Sequence, residues 1–69
     1  MYHPGDMVYY LGCSPDQIAW GSNDDPTDVL QQGYVYGIEK VEVHSSHTKL
    51  KLVAKQGWFN SVCFEKYPV

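Results

Sequence analysis

Five side chains of this sequence could bind a metal ion: His3, Cys13, His44, His47 and Cys63. Structural zinc sites usually include at least one pair of cysteines close together in the sequence, whereas the two cysteines here stand near opposite ends. His44 and His47 flank two serines in a predicted turn, where exposed histidines are ordinary. The spacing therefore predicts no metal site and no cofactor.

The two cysteines are also the candidate nucleophiles of the chain. A catalytic thiol needs a neighbouring base and an exposed, electropositive setting. Cys63 lies between Val62 and Phe64, which predicts a buried thiol packed as a small apolar group. Cys13 precedes an acidic loop, which disfavours a thiolate. We therefore predict no catalytic residue and no enzymatic activity.

The cysteine count also bears on the redox state. A disulfide framework in a small secreted domain normally brings four or more cysteines and an export signal. Since the chain has two cysteines and no such signal, we expect both thiols to be reduced.

Four aspartates lie between residues 16 and 28, at Asp16, Asp24, Asp25 and Asp28. A calcium loop needs several oxygen ligands at fixed offsets and a glycine at its sharp turn, and this layout is absent. A patch that mimics phosphates and blocks a basic partner needs less exact spacing, but four carboxylates are few for it. Helix capping explains Asp25 and Asp28, with Pro26 at the first helical position.

Aromatic residues make up 14% of the chain, and ten rings are too many for the core of so small a domain. A contiguous set of exposed rings would mark a contact site. Trp20, between Ala19 and Gly21, is either an exposed binding anchor or a lid over the core, and the sequence leaves both open. On the anchor interpretation, the predicted binding residues are Tyr10, Trp20, Asp24, Asp25, Tyr34 and Tyr36.

The elements that position these residues begin with a strand at residues 7–11, whose two faces are both apolar. Residues 12–29 form the largest loop, and a loop of this length is usually functional or carries local structure. Within it we expect a helix of one or two turns from Pro26, ended by Gly33 in the left-handed conformation.

The second half of the chain reads as three further strands and one helical turn. Residues 34–43 form the longest strand, and a change in the phase of its apolar positions predicts a bulge near Glu39 and Lys40. Residues 44–47 form a turn, and residues 48–55 alternate with Leu50, Leu52 and Ala54 inward. A strand at Trp58 and Phe59 leads to a short helical turn from Asn60 and then to a closing strand.

In this order the elements resemble an SH3-like barrel over nearly the whole chain, and are similar to small SH3-like proteins of bacteria and their phages. The residues that carry the resemblance are Leu30, Gly33, Tyr36, Gly57, Trp58 and Phe64. The resemblance implies one all-β domain over residues 1–69: a small five-stranded antiparallel SH3-like barrel with a long first loop and one short helical turn. It also implies a non-catalytic binding module.

The proline-binding groove of SH3 domains is not reproduced in this sequence. Thr48 and its neighbours supply no tryptophan at the start of the third strand, and Asn60 stands where a proline would be. We therefore do not expect the chain to recognise left-handed proline helices through that surface.

Charge is distributed unevenly along the chain. Residues 1–39 contain six acidic residues and no lysine or arginine, and all five lysines lie in residues 40–69, for a net charge of −3. Nucleic-acid-binding proteins usually show a basic footprint and use arginine, so we favour a protein partner. The alternative is a nucleic-acid or ribonucleoprotein accessory that contacts phosphates with Lys49, Lys51 and Lys55. A homo-oligomer, formed by pairing the acidic and lysine-bearing halves of two copies, is a third possibility.

The sequence contains no apolar run of the length that spans a bilayer and no basic start followed by an apolar core. From this we expect no membrane partner, and a soluble protein located in the cytoplasm.

Overall fold

The structure, a computed structural model, describes residues 1–68. Its strands are β1 (Met7–Tyr10), β2 (Val35–Val43), β3 (Thr48–Leu52), β4 (Phe59–Asn60) and β5 (Phe64–Tyr67). They form one antiparallel sheet in the order β4-β3-β2-β1-β5. The prediction of an all-β chain with five antiparallel strands is confirmed.

The sheet is open. Its two edge strands, β4 and β5, are joined along the chain by a 3-10 turn, Ser61–Cys63. No ladder pairs these two edges within residues 1–68. The predicted helical turn from Asn60 is confirmed, since the Asn60 side chain accepts a hydrogen bond from the backbone N–H of Val62 at 3.2 Å. Closure into a barrel is not shown.

The core lies on the inner face of this sheet. Along β1, Val8 and Tyr10 are buried in the core, whereas Met7 and, just after the strand, Leu11 are exposed. The face that carries Val8 and Tyr10 is therefore the one that packs against the core. The other buried apolar residues are Leu30, Ile38, Leu50, Leu52, Phe59, Cys63 and Phe64. Phe64 packs against Tyr10 with its ring centroid 5.6 Å away.

The bulge predicted in the longest strand is confirmed. Ile38 pairs with Leu52 and Lys40 pairs with Lys51, so Glu39 has no partner in the register. The extra residue keeps the side chains on both sides of the bulge in phase with the core: Ile38 is buried, and Val41 packs against the buried cluster.

Strand β3 ends earlier than expected. It stops at Leu52, and Ala54 lies exposed in a turn with a left-handed φ of 62°. The turn is closed by a hydrogen bond from the backbone N–H of Lys55 to the carbonyl of Leu52. The prediction that Ala54 faces inward is therefore wrong. The alternation of apolar and polar residues cannot reveal that a strand ends in a turn when the turn contains no glycine or proline.

The helix of the long loop is not where the sequence placed it. The stretch after Pro26 makes a single turn, with the Leu30 N–H bonded to the Pro26 carbonyl at 2.8 Å. Asp25 does cap this turn, because its carboxylate accepts hydrogen bonds from the N–H and the hydroxyl of Thr27. Gly33 adopts the predicted left-handed conformation, at φ 86°.

The helix of this loop is instead α1, Pro15–Ala19. It begins with a capping box: the Ser14 hydroxyl accepts from the N–H of Gln17 at 3.2 Å, and the Gln17 side chain accepts from the N–H of Ser14 at 2.9 Å. Proline at the first helical position fits the same start. The signal was therefore present in the sequence as Ser-Pro-Asp-Gln.

Cys13 and Cys63 are bonded to each other as a disulfide, so the prediction of two reduced thiols is wrong. Their Cα atoms are 5.1 Å apart, within the span that a disulfide requires. The predicted burial of Cys63 is confirmed. The bond joins the segment just before α1 to the 3-10 turn.

Neither helical segment of residues 1–68 has the length and the apolar character needed to cross a bilayer.

Candidate functional site

A groove of about 580 Å³ opens where α1, the β2–β3 hairpin and the 3-10 turn meet. We call it the Trp20 groove. The lining residues on which its chemistry depends are Asp16, Trp20, His44, His47, Asn60 and Val62.

Trp20 forms one wall of the groove. It follows the last residue of α1, and its backbone N–H caps the helix by bonding the carbonyl of Asp16 at 3.0 Å. The indole is 59% exposed, yet its Nε1–H donates to the carbonyl of Ser46 in the hairpin at 3.2 Å. This hydrogen bond fixes the ring as a wall of the groove, and the exposure of the ring shows that it is not a lid over the core.

Helix α1 is too short to be stable by itself, so its position depends on contacts with the rest of the fold. The Asn23 side-chain amide donates to the carbonyls of Gln17 and Ile18 at the end of the helix. The Asn60 amide donates to the same Gln17 carbonyl at 2.9 Å. The Cys13 disulfide fixes the preceding segment. These contacts give the Trp20 wall a defined place.

Two histidines form the hairpin wall. The rings of His44 and His47 stack with centroids 4.5 Å apart, and Nε2 of His44 lies 2.6 Å from a carboxylate oxygen of Glu42. The His47 ring fills the space above Gly21, where a Cβ atom would come within 2.4 Å of Nε2. Glycine at residue 21 is therefore needed for this packing as well as for its left-handed φ of 81°.

The packing of His47 affects its charge. Burial lowers the pKa of its imidazole below the ordinary value of 6.5, and the neighbouring His44 and Lys49 lower it further, against a smaller opposing effect of Glu42. Within residues 1–68, its Nε2 atom is buried without a hydrogen-bond partner. Because the neutral ring is favoured, His47 brings no positive charge to the groove at pH 7.

The predicted binding residues divide into two groups. Tyr10 is 3% exposed and belongs to the core, so the expectation that it contacts a partner directly is corrected. Burial raises the pKa of its hydroxyl, and Asp25 and Tyr36 lie close enough to raise it further. The structure thus brings Tyr10, Asp25 and Tyr36 together. Trp20 lies apart from them, since none of these three lines the Trp20 groove.

The remaining predicted residues have different surroundings. The Tyr34 side chain is exposed. The Tyr36 hydroxyl accepts a hydrogen bond from the backbone N–H of Gln31 at 2.8 Å. The carboxylate of Asp24 accepts one from the N–H of Trp58 at 2.7 Å, which fastens the long loop to the start of β4. Asp24 thus has a structural contact within the chain.

The three lysines of the alternative prediction are engaged with protein groups. Lys49 donates to the carbonyl of Ser22 at 3.3 Å. Lys51 pairs with Glu39 at 3.2 Å, and the ammonium of Lys55 lies 5.9 Å from the centroid of the Tyr36 ring. No observation on this strand favours phosphate binding over these contacts.

Local sequence patterns do not reveal most of the groove. They place Asp16 in the long loop, His47 in a turn and Asn60 at the start of the helical turn, with no sign that the three residues line one groove. The available signal was the capping box at Ser14, because it predicts a helix on which Asp16 and Trp20, four residues apart, share one face.

No group of histidine, cysteine, aspartate and glutamate side chains within residues 1–68 is arranged to hold a metal ion.

Comparison with known proteins gives one family match. The model of the family described as Bacteriophage T4 protein Y07B matches residues 20–68. The matched stretch includes Trp20, the β2–β3 hairpin and the 3-10 turn, whereas α1 precedes it. No curated protein and no solved structure matches the chain.

Proposed function

The chain belongs to the Bacteriophage T4 protein Y07B family, and we propose that it is a non-catalytic module that binds a protein partner through the Trp20 groove. The observation that carries this proposal is the exposed indole of Trp20, held in place by its hydrogen bond to Ser46. Tryptophan is enriched among the residues that dominate binding energies. An indole that is fixed before binding loses little conformational freedom when a partner arrives.

The chemistry of the groove supports binding over catalysis. Both cysteines are used in the disulfide, so the two stacked histidines have no thiol to activate. A general base must lie within hydrogen-bond reach of the proton that it removes. The hydroxyl of Ser46 lies 3.2 Å from Nδ1 of His47, but Ser46 is in an exposed turn and its carbonyl accepts the hydrogen bond of the Trp20 indole.

The proposal includes an SH3-like arrangement of the fold. It is supported by the strand order, in which the two edges are consecutive in the chain and linked by a one-turn helix. It is also supported by the position of the groove, where the long loop, the β2–β3 hairpin and this turn converge. We propose that the partner also contacts a second region, formed by Tyr34, Tyr36, Asp24 and Asp25. Tyr10 packs in the core beneath this region and does not contact the partner itself.

The test begins with ligands selected without bias. Short random-sequence peptides are selected on the immobilised protein, and their dissociation constants are measured by fluorescence anisotropy. Trp20→Ala should weaken binding about tenfold or more, since a tryptophan at the centre of an interface contributes on the order of 2 kcal/mol. Tyr67→Ala removes an exposed ring outside the groove and should leave binding unchanged.

A second measurement locates the contact directly. In a two-dimensional NMR spectrum the indole N–H of Trp20 gives a separate signal, which should shift on peptide addition together with the amides of Thr48 and Val62. Peptides that bind Trp20→Ala as tightly as the original chain, or that shift only signals outside the groove, would exclude this function for the site. Thermal unfolding of both variants checks that the fold is retained.

A further inference from the structure

On the basis of the proposed function, we propose that the bound segment carries a lysine or arginine side chain that lies against the Trp20 indole and pairs with the carboxylate of Asp16.

Asp16 and Trp20 are presented together by α1. They stand four residues apart, which places them on the same face of the helix, and both line the Trp20 groove. Asp16 is exposed and the indole is 59% exposed. A side chain that enters the groove therefore meets an aromatic surface and a carboxylate next to each other.

The charge of the groove is one-sided. Asp16 is its one carboxylate among residues 1–68, and no lysine lines it. The lowered pKa of His47 keeps that ring neutral at pH 7, and His44 is paired with the carboxylate of Glu42. Lys49 keeps its charge and acts on His47, but it does not line the groove, and its ammonium is bonded to the carbonyl of Ser22 at 3.3 Å. The carboxylate of Asp16 on the groove wall attracts a cationic ligand and repels a phosphate.

An aromatic ring next to a carboxylate suits a cation with an apolar stem. The charged group of lysine or arginine is attracted to the face of a tryptophan when it lies within about 6 Å of the ring centroid. The methylene groups of these side chains can also cover apolar surface. Val62 offers such a surface across the groove and is 57% exposed. The chain makes a similar contact internally, where Lys55 lies over the Tyr36 ring.

The experiment uses the peptides selected for the proposed function. We expect them to be enriched in lysine or arginine at one position. Asp16→Asn, which keeps the size of the side chain and removes its charge, should weaken the enriched peptides about threefold or more, and replacing the peptide cation by glutamine should weaken them to a similar extent. The two changes together should weaken binding by less than the product of the single effects.

The matched control is Asp28→Asn, which removes an exposed carboxylate outside the groove and changes net charge equally. It should leave affinity within experimental error. An equal loss in both variants would overturn the pairing, because the attraction would then come from net charge alone. A peptide cation that is insensitive to Asp16→Asn would overturn it too.

The failure of this inference is distinguishable from failure of the proposed function. Selected peptides without a conserved lysine or arginine that still lose affinity in Trp20→Ala would overturn the cationic ligand and leave the binding site in place. Peptides indifferent to Trp20→Ala would overturn both. An oligonucleotide that displaced the peptides and lost its own affinity in Trp20→Ala would likewise overturn the inference in favour of another class of partner.

Discussion

Asn60 is the residue on which two walls of the Trp20 groove depend. Its side chain is 2% exposed, and it donates to the carbonyl of Gln17 in α1 while accepting from the N–H of Val62 in the 3-10 turn. A buried amide with both hydrogen bonds formed fixes the distance between the elements that it joins.

We predict that Asn60→Ala lowers the free energy of unfolding by about 2 kcal/mol, because it leaves the Val62 N–H without its partner, removes one of the two hydrogen bonds of the Gln17 carbonyl and opens a small void. Urea denaturation followed by tryptophan fluorescence measures the change. The neighbouring exposed Val62→Ala should cost much less, about 0.5 kcal/mol or below. Equal costs for both variants would mean that the Asn60 hydrogen bonds do not hold α1.

His47 makes the stability of the chain depend on pH. Burial against Gly21 lowers the pKa of its imidazole below 6.5 in the folded chain, so the unfolded chain takes up the proton at a higher pH than the folded chain. Stability from this source is complete above pH 6.5 and is lost as the pH falls below 6.5 toward the folded-state pKa.

We therefore expect the free energy of unfolding to fall between about pH 7.5 and about pH 5.5, and this fall to be reduced in His47→Asn. The comparison uses the slope with pH, so a constant loss of packing in the variant does not affect it. The exposed Val53→Ala, which changes no titratable group, serves as the control and should keep the original slope. A slope that is the same in all three proteins would contradict the assignment to His47.

At the scale of elements, the disulfide is the strongest link between α1 and the sheet. It joins residues 50 positions apart in the sequence and so closes most of the chain into a loop. Cross-linking stabilises a fold mainly by restricting the unfolded chain, and by more for longer loops. Because disulfides are rare in cytosolic proteins, the bond also weighs against the cytoplasmic location expected from the sequence.

We predict that reduction of the Cys13–Cys63 bond lowers the free energy of unfolding by on the order of 4 kcal/mol, the chain-entropy value for a loop of this length. The measurement is urea denaturation with and without a thiol reductant. In a variant with both cysteines replaced by serine, the reductant should have no effect. A count of two free thiols in the untreated protein would contradict the bond itself.

At the scale of the whole molecule, the acidic and lysine-bearing halves pair within one chain. Lys66 lies 3.6 Å from Asp6, and Lys51 lies 3.2 Å from Glu39. The Asp6 carboxylate accepts a hydrogen bond from the backbone N–H of His3, and this bond is the main cause of the lowered pKa of Asp6. The positive charge of Lys66 lowers that pKa further. Surface pairs of this kind contribute little to stability, but they reduce the number of cations available to a nucleic acid.

We expect labelled single-stranded DNA and duplex RNA to show no measurable binding at about 0.15 M ionic strength, given the net charge of −3 and the engaged lysines. Fluorescence anisotropy at several salt concentrations tests this expectation. Tight binding that falls steeply as salt rises, and that weakens in Lys49→Gln, would support the nucleic-acid alternative instead. Lys40→Gln, on the neighbouring strand, is the matched control.

Local sequence patterns predict the features that depend on near neighbours in the chain. The alternation of β1 and β3, the bulge at Glu39 and the left-handed Gly33 all follow from side-chain pattern and backbone preference over a few residues. The same local signals could have located α1 through its capping box. These features held because they are set by the chemistry of adjacent residues.

The Trp20 groove, in contrast, is assembled by contacts between segments that are distant in the chain. The bond of the Trp20 indole to Ser46 joins residues 26 apart, that of Asn60 to Gln17 joins residues 43 apart, and the disulfide joins residues 50 apart. No local pattern encodes such pairs, because they form only where packing brings distant segments together. Packing between distant segments also buries Tyr10, which the sequence pattern predicts at the surface, and leaves Trp20 exposed beside Asp16.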